Sequence, residues 1–445
     1  MIIEIEIENW KSFRDPTLFT MLASRERQHS ERLARINKYK MRILPITAIY
    51  GGNASGKSVF FEAINFVKNF VTNGVKPEEQ IPVEPYRLDP KFKGLPTKFR
   101  FEILVDGIVY DYSFAVTNEK VIKEKLVKIT SSSEKILFHR QKDKLLNLET
   151  TANNEDYLNY AFHGTHDNQL FLSNTVFQKI TLFKPVFDWF KKSLVLISPM
   201  GMSDPVTALI SKDTPLYETI KNSLYRFDTG IMHLEGEIIP FDSIPMDDKL
   251  KDELKKTVTE STHVELVGAH RAERIVLSKK EGEMIAKKLV SYHQSSDGQK
   301  VKFELTDESD GTRRLIELLP GFYNMSNENN AKVYIIDEID RSLHSLLTRQ
   351  LLNLFLCSYS EKSRSQLLFT THDLLLMDQT LLRRDEMWIA ERNDQGSSTL
   401  ISFAEFKDVR SDKDIRKSYL QGRLGGIPNV LINECFTPFK SEYDG

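Results

Sequence analysis

The 445-residue sequence predicts an α/β fold built on two sheets, one mixed and one antiparallel, with a mixed, largely helical lobe inserted between its two halves. Three observations carry that expectation. Residues 43–50 form an apolar run that reads as a buried strand; Gly51-Gly52-Asn53-Ala54-Ser55-Gly56-Lys57-Ser58 follows; and Val59, Phe60, Ala63, Ile64, Val67 and Phe70 then recur at helical spacing. That is the strand, loop and helix context of a phosphate-binding loop. Farther on, Phe99, Phe101, Ile103 and Val105 alternate into Asp106-Gly107, and Ile108, Tyr110, Tyr112 and Phe114 alternate back. Asp-Gly supplies the two positive φ angles of a type I′ turn, so this stretch is an antiparallel hairpin. Short apolar runs bounded by polar residues return at Val333-Tyr334-Ile335-Ile336 and Gln366-Leu367-Leu368-Phe369-Thr370, as in the buried strands of a nucleotide-binding sheet.

Composition narrows the class. Hydrophobic residues make up 40% and charged residues 28%, as in an ordinary globular protein, and the length allows a large core with two or three lobes. A formal net charge of -2 speaks neither for nor against nucleic acid, because a neutral sum can hide a basic stripe. Only Cys357 and Cys435 occur, with no CxxC, which excludes a disulfide framework and a zinc site. No apolar run approaches the roughly 20 residues that span a bilayer, and the sequence opens on a strand pattern rather than a signal sequence. The expected location is the cytoplasm, with no membrane partner.

Taken in order, residues 1–8 alternate Ile3, Ile5 and Ile7 against Glu4, Glu6 and Glu8, a strand with one wet face. Residues 25–42 hold seven basic side chains against two acidic ones. Such a segment could lie over the nucleotide base or over DNA, and equally suits a solvated connector. Residues 1–116 read as the N-terminal half of the head, 117–263 as the inserted lobe and 264–445 as the C-terminal half with its tail. Within the lobe, 183–192 and 247–259 have amphipathic helical patterns and Leu194-Val195-Leu196-Ile197 a strand pattern; no sustained heptad supports a long coiled coil.

The candidate chemistry gathers at both ends. In residues 51–58 the glycines let backbone N–H groups turn inward around a phosphate, the helix N-terminus adds positive dipole, Lys57 reaches the β- and γ-phosphates, and Ser58 can ligate Mg²⁺. The expected ligand is ATP. Ser309-Asp310-Gly311-Thr312 opens a helical pattern, so Ser309, Gly311 and Thr312 form a second anion-binding arrangement or simply a good N-cap. The strand at 333–336 ends in Asp337-Glu338: Asp337 would hold Mg²⁺ through a water, and Glu338 could polarise the water attacking the γ-phosphate. His372, just past the strand at 366–370, could donate a hydrogen bond to the γ-phosphate. Strand patterns at 386–390 and 398–403 follow, and a tail at 410–428 combines basic and glycine residues that could track phosphates or dock a partner.

This order of motifs resembles the head of ABC-type P-loop ATPases related to the SMC and RecF group. Asn9-Trp10-Lys11-Ser12-Phe13, Gly52-Asn53-Ala54-Ser55-Gly56-Lys57-Ser58, Ser309-Asp310-Gly311-Thr312, Asp337-Glu338-Ile339-Asp340, Leu343-His344, Thr370-Thr371-His372-Asp373 and residues 419–428 are similar, more narrowly, to stand-alone bacterial AAA family ATPases of abortive-infection and anti-phage systems. The resemblance covers both ends of the chain and the middle poorly. It implies a homodimer or higher homo-oligomer in which each ATP lies between residues 51–58 of one chain and 309–312 of the other, closed by binding and released by hydrolysis at Glu338, with Asp340 and His344 at the seam.

Two departures qualify it: the signature is a shortened Ser-Asp-Gly-Thr, and no glutamine between the phosphate loop and the lobe matches a Q-loop. About 70 residues follow His372, little room for an appended nuclease, so the effector such an ATPase would control, a nuclease or a toxin, is expected on a separate chain. Rival readings are a DNA repair or chromosome-maintenance ATPase that clamps DNA as a dimer, and a non-catalytic scaffold with structural ATP.

Overall fold

The computed structural model describes residues 1–149, 155–199, 201, 209, 215–260, 262–268, 273–406 and 415–426. In chain order the strands of its first half are β1 (Ile2–Glu8), β2 (Thr17–Thr20), β3 (Ala34–Ile36), β4 (Met41–Ile43), β5 (Ile46–Tyr50), β6 (Thr97–Val105), β7 (Ile108–Val116), β8 (Val121–Ile129), β9 (Glu134–Gln141) and β10 (Lys144–Leu148). Those of its second half are β11 (Leu194–Ile197), β12 (Ile231–Ile239), β13 (Val264–Val267), β14 (Arg274–Lys280), β15 (Glu283–Gln294), β16 (Lys300–Glu304), β17 (Val333–Ile336), β18 (Gln366–Thr370), β19 (Met387–Arg392) and β20 (Ser398–Ser402).

Six strands in the order β11-β17-β18-β5-β19-β20 make the central sheet. It is parallel except where β20 turns back on β19, so the sheet is mixed. Every residue of β5, β17 and β18 is buried, which is why these strands read as continuous apolar runs instead of alternating ones. The helix Lys57–Thr72 covers the sheet with Phe60, Ala63, Ile64, Val67 and Phe70 buried. Their recurrence every three or four residues is the apolar stripe that drives a helix onto a sheet.

A second, antiparallel sheet runs β10-β9-β8-β7-β6-β1-β2. The β6–β7 hairpin turns at Asp106 and Gly107, with φ 49° and 75°, as a type I′ turn requires. Its inner face packs Phe99 and Phe114 against Phe66 and Phe70 of the helix, with ring centroids 5.3 to 5.9 Å apart. This aromatic layer joins the two sheets.

The span 117–263 contains more strand than its sequence pattern suggests. β8, β9 and β10 extend the hairpin's sheet, and β11 takes the edge of the central one. β8 escapes notice because Lys123, Glu124, Lys125 and Lys128 break the apolar alternation. Glu124 is fully buried, where it accepts hydrogen bonds from Tyr112 Oη and from the backbone N–H groups of Phe171 and Leu172. Residues 183–192 form the helix Lys184–Asp188 and a wider turn to Ser193, and 247–259 form the helix Asp248–Thr257. A third, antiparallel sheet of β12, β15, β14 and β13, with β16 beside β15, has its own small core around Leu254, Val258, Leu277 and Ala286. No described helix exceeds 16 residues, and none is long and apolar enough to cross a membrane.

Candidate functional site

The C-terminal ends of β5, β17 and β18 lie side by side, the position where open parallel sheets take their ligands. Each delivers one piece of the predicted site. After β5, Gly51 and Gly56 adopt φ 149° and 114°. A Cβ on Gly51 would stand 2.5 Å from the Ala390 carbonyl oxygen, and one on Gly56 2.7 Å from Ser398 Oγ. β19 and β20 therefore press on the loop from outside, and only glycine allows that approach. Asn53, Ala54 and Ser55 complete the turn, with Ala54 at φ 60°. The helix starts at Lys57 without a side-chain cap, leaving its first N–H groups for a ligand.

Lys57 is 6% exposed, and its ammonium donates to the carbonyl oxygens of Gly51 at 2.7 Å and Gly52 at 2.9 Å. Burial pushes its pKa down to about 8, against the opposing pull of Asp337, Glu338 and Asp340. Among the described residues the hydrogen bonds of this buried ammonium go to carbonyl oxygens, which it can exchange for an anion.

Ser58 Oγ faces Asp337 Oδ1 at 3.4 Å. The same carboxylate oxygen accepts a hydrogen bond from Thr370 Oγ1 at 2.6 Å, and Thr370 Oγ1 in turn accepts the Glu338 N–H at 2.8 Å. One hydroxyl from β18 thus fixes both acidic residues at the end of β17. Glu338 sits at φ 50°, a left-handed conformation that costs a non-glycine residue about 1–2 kcal/mol. Its carboxylate is 4.0 Å from Arg341 Nη1. His372 follows β18; its backbone N–H donates to Asp340 Oδ2 at 3.3 Å. Burial first, and then the Lys57 charge, lower the imidazole pKa, which favours its neutral form.

Ser309, Gly311 and Thr312 form a helix start of their own. Ser309 caps the helix Asp310–Met325 by accepting the Thr312 N–H at 3.1 Å. A Cβ on Gly311 would meet the Ser342 carbonyl oxygen at 2.7 Å, so this helix start packs on the loop beyond Glu338. Among the described residues, no hydrogen bond joins it to residues 51–58 of the same chain. Thr370 belongs to the Thr370-Thr371-His372-Asp373 piece of the resemblance, but its hold on Asp337 and Glu338 is not among the roles expected from the sequence. Of the tail, residues 410–414, 427 and 428 lie outside the described residues; 415–426 are placed beside the phosphate loop.

The residues present fit a triphosphate: a glycine cradle, a buried amine and an uncapped helix start converge. They also fit Mg²⁺, which commonly takes one or two protein oxygens and completes its shell with phosphate and water. Among the described residues there is no cluster of three or more His, Cys, Asp or Glu able to hold a metal alone.

The family model described as "AAA domain, putative AbiEii toxin, Type IV TA system" (AAA_21) matches residues 46–173 and 216–378, well over half of the chain and every site segment above. Among solved structures, the chain is similar to the SMC head domain from Thermotoga maritima at 14% identity, covering 90% of this chain and 98% of that one with a TM-score of 0.35. It is similar also to an SMC head bound to the C-terminal winged-helix domain of ScpA, at 12% identity, covering 90% and 97% with a TM-score of 0.35. No curated protein matches the sequence.

Proposed function

Because the chain belongs to the AAA_21 family, whose P-loop ATPase domains are linked to AbiEii toxin systems, we propose that it is an ATP-hydrolysing switch of an anti-phage defence system that controls a separate nuclease or toxin. The observation that carries this reading is the convergence of Lys57, Ser58, Asp337, Glu338 and His372 at adjoining strand ends.

In this reading Lys57 leaves the Gly51 and Gly52 carbonyl oxygens for the β- and γ-phosphates. Ser58 and Asp337 would hold Mg²⁺, whose charge would offset that of the phosphates. Glu338, held in position through Thr370, accepts the proton of the attacking water. Neutral His372 donates one ring N–H to the γ-phosphate and so distinguishes triphosphate from diphosphate. The exposure of Ser309 and Asp310 at a helix start that makes no hydrogen bond to its own phosphate loop among the described residues supports a second chain completing each site. A γ-phosphate touching two chains is a large differential contact between open and closed dimers, as a switch requires. The protein would work in the cytoplasm.

Calorimetric titration with Mg-ATP tests the reading. Lys57→Ala should weaken binding roughly 100-fold, the equivalent of ~3 kcal/mol for a charged hydrogen bond lost. Equal affinity in wild type and variant would refute the site. A second reading, a dimer that clamps DNA, is favoured by the exposure of Arg25, Arg27, Arg35, Lys38, Lys40 and Arg42 along one segment. It predicts a mobility shift of duplex DNA that depends on ATP and falls with added salt.

A further inference from the structure

The C-terminal segment 415–426 returns to the phosphate loop and grips it at one residue. Ile415, Tyr419 and Leu424 are buried, which anchors the segment in the main core. Gly425 and Gly426 then take φ 70° and 69° in succession. The Gly426 carbonyl oxygen accepts the Gly52 N–H at 3.2 Å and the Tyr419 hydroxyl at 2.9 Å. Gly426 N–H donates to Glu391 Oε1 at 3.3 Å.

Glycine is favoured at both positions by the positive φ, and at Gly426 by space as well, because Ile389 Cγ2 sits on a strand while the Glu391 carboxylate facing Gly425 can swing aside. A Cβ on Gly426 would collide with Ile389 Cγ2, and one on Gly425 would stand 2.7 Å from Glu391 Oε1. Ile389 and Glu391 belong to β19, the strand whose Ala390 carbonyl oxygen crowds Gly51. β19 therefore seats the loop and the tail together.

Gly52 is held from both ends: its N–H by the tail, and its carbonyl oxygen by Lys57 and, at 3.4 Å, by the Ser55 N–H. Once Lys57 turns to a triphosphate, the tail is the outside hold that remains on this residue. We propose that the Gly425-Gly426 turn, with Tyr419, is a positioning element of the nucleotide site, keeping the phosphate loop open for ATP when its lysine lets go. The inference rests on the ATP reading above.

The test compares two glycines of the same segment. Gly422 also has positive φ, 73°, but a Cβ there would meet open space. In calorimetric titration of the full chain with Mg-ATP, Gly426→Ala should weaken binding at least tenfold, and Gly422→Ala less than threefold. Tyr419→Phe keeps the ring, loses one bond to Gly426, and should weaken binding about threefold; it serves if Gly426→Ala does not fold. Melting temperatures without nucleotide should move far less than affinity, whereas a purely structural role would lower melting and spare the affinity of the folded fraction. Wild-type affinity in Gly426→Ala and Tyr419→Phe, tighter binding in either, or equal losses in Gly426→Ala and Gly422→Ala would overturn the proposal. Absence of ATP binding by the wild type would instead overturn the ATP reading itself.

Discussion

At the scale of single residues, the site turns on a lysine buried ahead of its ligand. Lys57 has its pKa lowered to about 8 by burial, so at pH 8.5 much of it is neutral in the free protein. A bound triphosphate favours the charged form again, so binding at this pH must draw a proton from solution. Calorimetry at pH 8.5 in buffers of different ionisation enthalpy should therefore show proton uptake that vanishes near pH 7, and affinity should decline as pH rises beyond 8. Identical enthalpies across buffers at pH 8.5 would show that Lys57 keeps its proton throughout. For stability the sign is the opposite of a salt-bridged lysine: between about 8 and the ordinary lysine value the unfolded chain holds more protons, so the cost of burying Lys57 shrinks as pH rises through that window. The residues proposed for this chemistry stand out in the sequence because phosphate loops and strand-end carboxylates are local patterns. The role of Thr370 does not, since its two partners lie 33 and 32 positions away and meet it only through sheet order.

At the scale of elements, legibility follows the balance between local rules and long-range pairing. The β6–β7 hairpin was readable because Asp106-Gly107 sets turn and register together, and the turn has the predicted positive angles. Gly107 sits at φ 75°, with no atom within 4 Å of where a Cβ would be, so any penalty for substitution there is conformational rather than steric. Gly107→Val should cost about 1–2 kcal/mol, the left-handed penalty for a side-chain-bearing residue, read as a lower denaturant midpoint at unchanged slope. No loss of stability would mean that the turn relaxes to another type. β8 defied reading for the reverse reason. One of its charged residues, Glu124, serves a buried network, 3.2 Å from Arg140 Nε and accepting three hydrogen bonds, while Lys123 is exposed, so apolar alternation is not what places the strand. Likewise β12 and β15 carry lysines and glutamates on their faces and pair with each other across about fifty residues, beyond what a window of sequence reveals.

For the whole molecule, the strand order β11-β17-β18-β5-β19-β20 interleaves segments from both ends of the chain, and no local pattern encodes it. That order brings residues 51–58 and 337–338 together, while Ser309 makes no hydrogen bond to residues 51–58 among the described residues; in the proposed switch a single chain therefore supplies half of each site. Complementation between two defective chains follows. Lys57→Ala loses the phosphate loop but keeps its helix start at Ser309; Ser309→Arg keeps the loop and blocks the helix start. If each ATP is shared, mixing the two inactive variants assembles some dimers in which the intact loop of one faces the intact helix start of the other. ATP turnover should then reappear, at about half the wild-type rate per mixed dimer and so about a quarter of it in a randomly assorted equal mixture, and should rise and fall with the ratio of the two chains. A mixture no more active than its separate components would mean that one chain completes its own site, and the exposed helix start would need another partner.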